Sequence, residues 1–385
     1  MPSSSPILLL CTGLGRINRG FEQYIASLAT HISAQPGLPP PEVWCGGPWT
    51  RPGVRSRRIA NLPRSHRWLK GRSQAFLWEQ RTFFLGMLWH LLWRRPRVIY
   101  LGEYQLYCYL YKLRSWLGLR YSLVLYTGGQ AIPGLFRPQL DFVHHITDAY
   151  LAQCTHLPAE RQTVLPHFIE DDFAYDEHLI ASIRQRAGHK KIVLSVGLLD
   201  KSTKAMHLLV AALAASQQPV YPVLLGASSA DTAELRQLLE QHFGHHGYFM
   251  NSMLHPMLGN WYAAADLFVL CSPKESFGLA LVEALWHGLP VVCRPMPETK
   301  WVLQDQAIYC AMETPWQLCT SIAQALQQNS PALQAQRRAF ARQHYSWTSL
   351  APRYQQLFQQ LTHTSNTSNI SSTPTPQSSF INHHS

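Results

Sequence analysis

The sequence predicts an α/β protein with two domains, each built around a parallel β-sheet covered by helices. Three observations carry this prediction. The 385 residues are long for one domain and sufficient for two hydrophobic cores. Short apolar runs alternate along the chain with segments whose apolar residues recur at helical spacing. The alternation occurs in two series, and repeated strand–helix alternation is typical of parallel sheets.

The first series predicts an N-terminal domain over residues 1–165. It begins with the strand "ILLLCTG", a glycine-containing loop and the helix "FEQYIASLATHIS". The runs "RVIYLG" and "SLVLYTGG" are predicted as later buried strands of the same sheet. The stretch "VLPHFIEDDF" at 164–173 is predicted as the passage between the domains.

The second series predicts a C-terminal domain over residues 166–361. Its predicted strands are "KIVLSVG", "YPVLLG", "DLFVLCS" and "PVVCRP", and helical patterns such as "MHLLVAALAAS" and "GLALVEALWHG" separate them. The last helix of this domain could pack back on the N-terminal domain. Residues 362–385 are rich in Ser, Thr and Asn, so we predict a disordered tail.

The positive charge is concentrated in the N-terminal third of the chain. Residues 1–120 contain 17 Lys and Arg against 4 Asp and Glu, whereas the other residues contain 16 against 18. Between 51 and 97, basic clusters flank an aromatic segment that includes Trp78, Trp89 and Trp93. This segment fits an anionic membrane surface, and the alternative is a core helix beside a solvated basic loop. We recognise no nucleic-acid-binding module, so nucleic acid is not an expected partner.

Cysteine usage and hydropathy indicate a cytoplasmic protein, with peripheral attachment to the inner face of a membrane as an option. The eight cysteines are scattered without a CxxC pair, which favours reduced thiols over disulfides or zinc. The N-terminus lacks the basic region of a signal peptide. No stretch reaches about 18 uncharged apolar residues, the length that a spanning helix needs. No DxD or HExxH motif occurs, so neither a metal nor a cofactor is expected.

Four segments carry a family resemblance. They are "SVGLLDKSTKAMHLLVAAL", "ADLFVLCSPKESFGLALVEALWHGLPVV", "YSWTSLAPRYQQLF" and, more weakly, "GLGRINRGFEQY". In these segments the chain resembles glycosyltransferase family 4, whose members are retaining enzymes of the GT-B fold. The resemblance implies two Rossmann-like domains whose parallel sheets face each other across a cleft. It also implies a nucleotide-diphosphate sugar as co-substrate and an acceptor hydroxyl.

Such a donor presents a diphosphate, a ribose and a hexose, and segment 272–290 offers a group for each. The loop after "DLFVLCS" is predicted at the carboxyl edge of the sheet, where such ligands bind. Glu275 is expected to accept hydrogen bonds from the hexose and Glu283 from the ribose, as the family implies. The alternative is that both are ordinary surface carboxylates. Backbone N–H groups at the next helix start are predicted to face the diphosphate. The residues concerned are Ser276, Phe277, Gly278 and Leu279.

Cations are predicted beside the diphosphate. Lys204 follows the strand "KIVLSVG" and resembles the phosphate-binding lysine of the family, in one motif with Gly197. The family commonly has an arginine after that glycine, whereas this chain has Leu198. A cation missing at about 4 Å forfeits about 4 kcal/mol at an effective dielectric constant of about 20. The candidates to compensate for it are Lys201, Arg16 and Arg19.

Three features of the N-terminal domain are further candidates. Gly15 would let the backbone of its loop approach the donor phosphates. Glu103, after the strand "RVIYLG", is a candidate site carboxylate, with a structural role as the alternative. The family often has a histidine after the strand that ends here in "LYTGGQ". The residues in its place are Thr127, Gly128, Gly129 and Gln130.

The sequence therefore predicts a retaining hexosyltransferase with Glu275 and Lys204 as its catalytic residues. Its acceptor could be a lipid-linked or polysaccharide precursor. Two alternatives stay open. A GT-B nucleotide-sugar epimerase would release isomerised sugar, and an inactive glycan- or membrane-binding scaffold would turn over nothing. Leu198 and the missing histidine are the arguments for the scaffold.

Overall fold

The structure is a computed structural model, and it describes residues 7–17, 20–69, 72–128, 140–155, 157–170, 173, 175–216, 218–253 and 255–364. The described chain divides into two compact units. Unit 1 comprises the residues up to Leu165 together with those from Pro352 onward, and unit 2 comprises Pro166–Ala351.

The described part of unit 1 contains one parallel sheet of seven strands. The strands are β1 (Ile7–Cys11), β2 (Glu42–Cys45), β3 (Arg55–Arg58), β4 (Val98–Leu101), β5 (Ser122–Tyr126), β6 (Phe142–His145) and β7 (Gln162–Val164). Their order is β3-β2-β1-β4-β5-β6-β7. The chain leaves β1 towards β2 and leaves β4 in the opposite direction, towards β5. Such a reversal opens a crevice at the carboxyl ends of the two central strands.

Helices cover this sheet because its central strands are apolar on both faces. All five residues of β1 are buried, as the continuous apolar run predicts for a parallel strand. The helices are α1 (Gly20–Ala34), α2 (Ala75–Arg94), α3 (Tyr104–Leu117) and α4 (Asp148–Ala152). Phe83 and Met87 of α2 share one buried cluster with Leu106 and Leu110 of α3. The two helices therefore lie side by side on the same face of the sheet.

The described part of unit 2 contains a parallel sheet of six strands. They are β8 (Lys191–Val196), β9 (Val220–Leu225), β10 (Phe249–Asn251), β11 (Leu267–Leu270), β12 (Val291–Cys293) and β13 (Ile308–Tyr309), in the order β10-β9-β8-β11-β12-β13. Its helices are α5 (Glu177–Ala187), α6 (Met206–Ala214), α7 (Thr232–Phe243), α8 (Leu258–Ala264), α9 (Leu279–Trp286), α10 (Pro297–Leu303), α11 (Pro315–Gln327) and α12 (Pro331–Tyr345). The strand order reverses between β8 and β11, so the crevice of this sheet lies between the loops that follow these strands.

The last helix, α13 (Trp347–Thr364), carries the chain from unit 2 back into unit 1. Tyr354 of this helix is buried in unit 1, where its hydroxyl lies 3.1 Å from that of Tyr24. The Tyr24 hydroxyl lies 3.2 Å from the Tyr100 hydroxyl, which hydrogen bonds to His144 Nδ1 at 2.7 Å. Burial lowers the pKa of His144 to about 3, so this imidazole is a neutral member of the network.

The predicted α/β fold class is confirmed, but four strands of unit 1 were not predicted: β2, β3, β6 and β7. The strand β3 has the sequence "RSRR", without the apolar alternation that would reveal it, and it lies at the sheet edge. Charged side chains suit an edge strand because they discourage pairing with other chains. The predicted tail at 362–385 lies outside the described residues from position 365 onward. Among the described residues, no helix is both long and apolar enough to span a bilayer.

Candidate functional site

The loop between β11 and α9 lies at the crevice of unit 2. Gly278 ends this loop as the N-cap of α9, with φ at 77°. A Cβ atom there would lie 2.5 Å from Leu281 Cδ1, so both the backbone and the space favour glycine. Helix α9 begins at Leu279. The N–H of Leu281 bonds to the Gly278 carbonyl at 2.8 Å, so the N–H groups of Leu279 and Ala280 precede the first bond of the helix. The loop therefore presents backbone donors and the positive end of a helix dipole.

Phe277 anchors this loop through its side chain. The ring is buried, and its centroid lies 5.0 Å from that of His167 and 5.7 Å from that of Tyr345. Because its side chain is buried, Phe277 can contact a ligand only through its backbone. The sequence predicts a backbone N–H contact at this position. Ser276, next to it, is partly exposed.

Glu275 and Lys204 form an ion pair across the crevice of unit 2. Glu275 is buried in the β11–α9 loop, and Lys204 lies in the loop that follows β8. The lysine stem runs along Gly197, where an added Cβ atom would lie 3.0 Å from Lys204 Cγ. The structure thus brings three predicted site residues together at the point where the strand order reverses.

Asp200 fixes the loop that carries Lys204. This buried carboxylate accepts hydrogen bonds from the backbone N–H of Lys204 at 2.7 Å and of Thr203 at 3.0 Å, and from the hydroxyl of Ser202 at 3.2 Å. Burial opposes its charge, but these hydrogen bonds outweigh burial and lower the pKa of Asp200. Sequence reasoning missed this residue. It could have been found from its position four residues before Lys204, since an aspartate there can accept hydrogen bonds from the N–H groups of the loop.

Two of the three residues suggested to compensate for the missing arginine contact other partners within their own units. The ammonium of Lys201 lies 2.8 Å from both carboxylate oxygens of Glu234 on α7. Arg16 donates a hydrogen bond to Asn61 Oδ1 at 2.8 Å. Leu198 is 37% exposed, and Arg19 lies outside the described residues.

Glu283 lies in the second turn of α9 and is buried with both oxygens engaged. Oε1 lies 2.9 Å from His255 Nε2, and Oε2 accepts a hydrogen bond from the Tyr262 hydroxyl at 2.7 Å. The hydrogen bond to Glu283 raises the pKa of His255. Burial alone would raise the pKa of Glu283, but His255 and Tyr262 lower it overall. Both shifts favour the ionised forms of the pair. Sequence reasoning missed both partners of Glu283.

The predicted site residues of unit 1 lie in two places: Gly15 packs against Pro48, and the others line a cavity. Gly15, with φ at 82°, packs its backbone against Pro48, whose carbonyl oxygen would lie 2.6 Å from an added Cβ atom. Glu103 follows β4 and accepts a hydrogen bond from the backbone N–H of Thr12, which follows β1, at 2.8 Å. Thr127 and Gly128 follow β5 and line the same cavity as Glu103. The predicted residues Gly129 and Gln130 lie outside the described residues.

Comparisons with known proteins find a match to a glycosyltransferase family in the C-terminal part of the chain. Residues 190–328 match the family described as Glycosyl transferases group 1. A region of 79 residues, 20% of this chain, is 29% identical to the serotype-specific mannosyltransferase WbdA of Escherichia coli. That alignment spans 10% of the length of WbdA.

Solved structures share the fold over almost the whole chain. Sucrose-phosphate synthase from Thermosynechococcus elongatus has a TM-score of 0.76 at 18% identity, covering 93% of this chain and 99% of that chain. HepE of Anabaena, solved in complex with UDP-glucose, has a TM-score of 0.71 at 16% identity, with coverages of 92% and 99%. WaaG, a glycosyltransferase involved in lipopolysaccharide biosynthesis, has a TM-score of 0.67 at 15% identity, again with coverages of 92% and 99%. These likenesses confirm the predicted GT-B fold.

Proposed function

We propose that this protein is a retaining glycosyltransferase of the family 4 type, which transfers a hexose from a nucleotide-diphosphate sugar to an acceptor hydroxyl. The observation that carries the proposal is the Lys204–Glu275 pair beside the N-terminus of α9, at the strand reversal of unit 2. This arrangement lies inside the part of the chain that matches Glycosyl transferases group 1. HepE, which shares the fold, is solved with UDP-glucose, and this supports a nucleotide sugar as the donor.

In this proposal the cation and the helix end bind the donor diphosphate. Lys204 supplies a compact positive charge, and the first N–H groups of α9 supply hydrogen bonds. Both are aimed at the place where negative charge grows as the leaving group departs, which is the usual source of catalysis in such transfers. Because these groups already provide the positive field, we expect transfer to proceed without a divalent cation and to persist in EDTA.

Glu275 and Glu283 take the two sugars of the donor. Glu275 exchanges part of its contact with Lys204 for hydrogen bonds from the hexose hydroxyls, while the lysine turns to the diphosphate. Glu283 gives up its contact with His255, whose side chain is 45% exposed, and accepts hydrogen bonds from the ribose hydroxyls instead. It keeps its hydrogen bond from Tyr262. A carboxylate suits both positions because each of its oxygens can accept more than one hydrogen bond.

The proposed reaction breaks the bond between the anomeric carbon and the donor phosphate oxygen and forms a bond from that carbon to the acceptor oxygen. The acceptor approaches on the face from which the phosphate leaves, so the configuration is retained. The acceptor proton passes to the departing phosphate oxygen, and the products are the glycoside and a nucleoside diphosphate. No protein nucleophile takes part in this scheme.

The deciding experiment is a screen of nucleotide sugars against the wild-type protein and Glu275→Ala, with release of nucleoside diphosphate and of sugar as the readouts. We expect wild type to turn over at least one donor and the variant to lose most of that activity. Isomerised free sugar from the wild type would point to an epimerase. Absence of turnover of every donor, with or without acceptors, would overturn the proposal in favour of a scaffold.

We also propose that the enzyme works in the cytoplasm, peripherally on an anionic membrane surface. Trp89, Trp93 and Trp116 are 68%, 77% and 82% exposed. The helices α2 and α3 run in the same direction, and the rings of Phe84 and Tyr109 lie 5.3 Å apart. At a rise of about 1.5 Å per residue, the three tryptophans fall at the same end of the helix pair.

Charge complementarity identifies the proposed occupant of this tryptophan face. Residues 81–120 contain seven Lys and Arg and one acid, the buried Glu103. The exposed cations near the tryptophans are Arg95, Arg97, Lys112 and Arg120. Each cation near an anionic membrane contributes about 1 kcal/mol. Within the predicted segment 51–97, Arg57 and Arg64 pair with Glu42 and Glu79. The proposed face therefore uses the C-terminal end of that segment together with the end of α3.

A further inference from the structure

Glu283 has a protein partner on each of its carboxylate oxygens. Oε1 lies 2.9 Å from His255 Nε2, and Oε2 accepts a hydrogen bond from the Tyr262 hydroxyl at 2.7 Å. The Glu283 side chain is 8% exposed, so the protein covers most of the directions from which another donor could approach. A ribose hydroxyl therefore reaches this carboxylate by taking the place of one of the two partners.

His255 is the partner that can leave. It lies in a single 3₁₀ turn, His255–Met257, after β10, and its side chain is 45% exposed. Tyr262 is buried in α8, where its ring centroid lies 5.1 Å from that of His287 and 5.8 Å from that of Phe268. Moving Tyr262 would open a cavity in the core of unit 2, whereas moving His255 exposes an imidazole that already contacts water.

Acidic groups face His255 and favour its protonated form. The hydrogen bond to Glu283 raises the pKa of His255, burial opposes this rise, and the charges of Glu283 and Glu170 add to it. Tyr262, on the other oxygen of Glu283, has its pKa raised by burial and stays a neutral donor. The negative charge of Glu283 and the proton of His255 therefore stabilise each other.

His287 also faces Glu283, but it does not carry the proton of this cluster. Its Nδ1 lies 2.7 Å from the backbone oxygen of Glu283, and its Nε2 lies 3.1 Å from the Tyr175 hydroxyl. Burial lowers the pKa of His287, the contacts with Glu283 oppose this, and the charge of Arg338 lowers it further. A neutral imidazole satisfies both contacts, because it donates from Nδ1 to the carbonyl and accepts at Nε2 from the hydroxyl. The proton that a ligand could displace is therefore on His255.

We infer that His255 is a proton-dependent latch on Glu283: the protonated imidazole occupies Oε1, and the ribose of the donor displaces it and releases its proton to the solvent. The inference rests on the proposed function, because the ribose belongs to the proposed donor. Away from Glu283 the imidazole loses the group that held its proton, and its pKa returns towards the usual value of about 6.5. Donor affinity is therefore lowest at acidic pH. It rises by up to about tenfold per pH unit as pH increases from about 6.5 through the raised pKa of His255.

Isothermal titration calorimetry in buffers of different ionisation enthalpy counts the protons released on binding. The ligands are UDP-glucose, GDP-mannose and any donor that the screen identifies, since the diphosphates of nucleotide sugars do not titrate near neutral pH. We expect wild type to release a fraction of about one proton near pH 7, and its affinity to rise at least about threefold between about pH 6 and pH 8. His255→Gln cannot titrate, so it should release no proton and bind with an affinity that does not vary with pH. His178→Gln changes an exposed histidine of the same unit and should match wild type.

His255→Ala is the second variant, because it removes the imidazole without replacing its hydrogen bond. It should release no proton and should bind the nucleotide sugar more tightly than wild type at about pH 6, where the latch holds Glu283. Equal proton release by wild type and both variants would overturn the inference, and so would binding to wild type without proton release. Binding with proton release by a protein that turns over no donor would support the latch and overturn the proposed transfer. Absence of binding by every nucleotide sugar would overturn both.

Discussion

Lys204 and Glu275 join the loops after β8 and β11 by an ion pair at the point where the strand order of unit 2 reverses. Each side chain holds the other in place, and a hydrogen bond to Asp200 holds the backbone of Lys204. The cation is thus fixed before a diphosphate arrives, and no loop has to be reordered to bring it there. Preorganised charge of this kind is what makes electrostatic catalysis effective.

Replacing Lys204 should therefore impair the chemical step. We expect Lys204→Met to lower kcat by about 10²- to 10³-fold, the range seen when one electrostatic stabiliser is removed. Initial rates of nucleoside diphosphate release give the measurement. Lys201→Met is the matched control, because Lys201 pairs with Glu234 in the same loop region. Equal losses in the two variants would show that Lys204 has no special role.

Glu275→Gln should separate recognition of the sugar from recognition of the nucleotide. The amide keeps the shape of the side chain but accepts fewer hydrogen bonds, so contacts with the hexose hydroxyls weaken. We expect affinity for the nucleotide sugar to fall about tenfold or more, while affinity for the nucleoside diphosphate alone changes little or rises as Lys204 is released. Isothermal titration calorimetry with both ligands measures this. A parallel loss for both ligands would contradict the assignment of Glu275 to the hexose.

The His255–Glu283 pair predicts how stability depends on pH. The pKa of His255 is raised in the folded state, so its contribution is complete below the unfolded pKa and is lost as pH rises through the folded value. The pKa of Glu283 is lowered, so its contribution is lost as pH falls through the folded value. Compared with His255→Gln, wild type should have its largest advantage in unfolding free energy at mildly acidic pH. Thermal melts between about pH 4 and pH 9 span both reference pKa values, and a difference that does not vary with pH would contradict the prediction.

Glu103 predicts a pH dependence opposite to that of Glu283. Burial, opposed in part by the Thr12 N–H and supported by the neighbouring Glu22, raises the pKa of Glu103 to about 7. Burial and then the charge of Glu103 raise the pKa of Cys11 on β1. An acid with a raised pKa costs stability once it ionises, so wild type should lose stability relative to Glu103→Gln as pH rises from about 4.5 to 7. A shift of this size corresponds to about 3 kcal/mol. Denaturant unfolding at pH 4.5 and pH 8 measures it, and an unchanged difference between the two proteins would refute it.

The tryptophan face can be tested by flotation with vesicles of phosphatidylcholine and phosphatidylglycerol. We expect wild type to float at low salt and less so at 1 M salt, where the screening length falls to about 3 Å. The double variant Trp93→Ser/Trp116→Ser should bind about tenfold more weakly, because it removes apolar area that the membrane would bury. Trp316→Ser is the control, since Trp316 is equally exposed but lies in unit 2. Wild type that stays with the soluble fraction, or a control that fails alongside the double variant, would remove the membrane proposal.

Sequence patterns predicted the two parallel sheets, most of their buried strands and the start of α9, because buried strands and helix starts leave local signals. The family resemblance supplied Lys204 and supported Glu275. The partners of those residues were not predictable in the same way. Asp200 supports Lys204 from within its own loop, whereas His255 and Tyr262 reach Glu283 from another part of the chain. Contacts between distant residues have no periodicity that a single sequence reveals. The cavity beside Glu103 is a similar case, because it depends on α1, α2 and the ends of β4 and β5 together.

Tyr354 and Phe358 are buried in unit 1, although about 190 residues separate them from the rest of that unit. During translation the ribosome makes the whole of unit 2 before these two side chains emerge. Unit 2 is one contiguous stretch of chain. It can therefore complete its fold before unit 1 does, although most of unit 1 is synthesised earlier. A truncated gene product that stops near residue 165 would leave Tyr24 and Tyr100 without the hydroxyl and aromatic neighbours that α13 brings. An autonomous version of unit 1 would need its C-terminal helix joined by a linker.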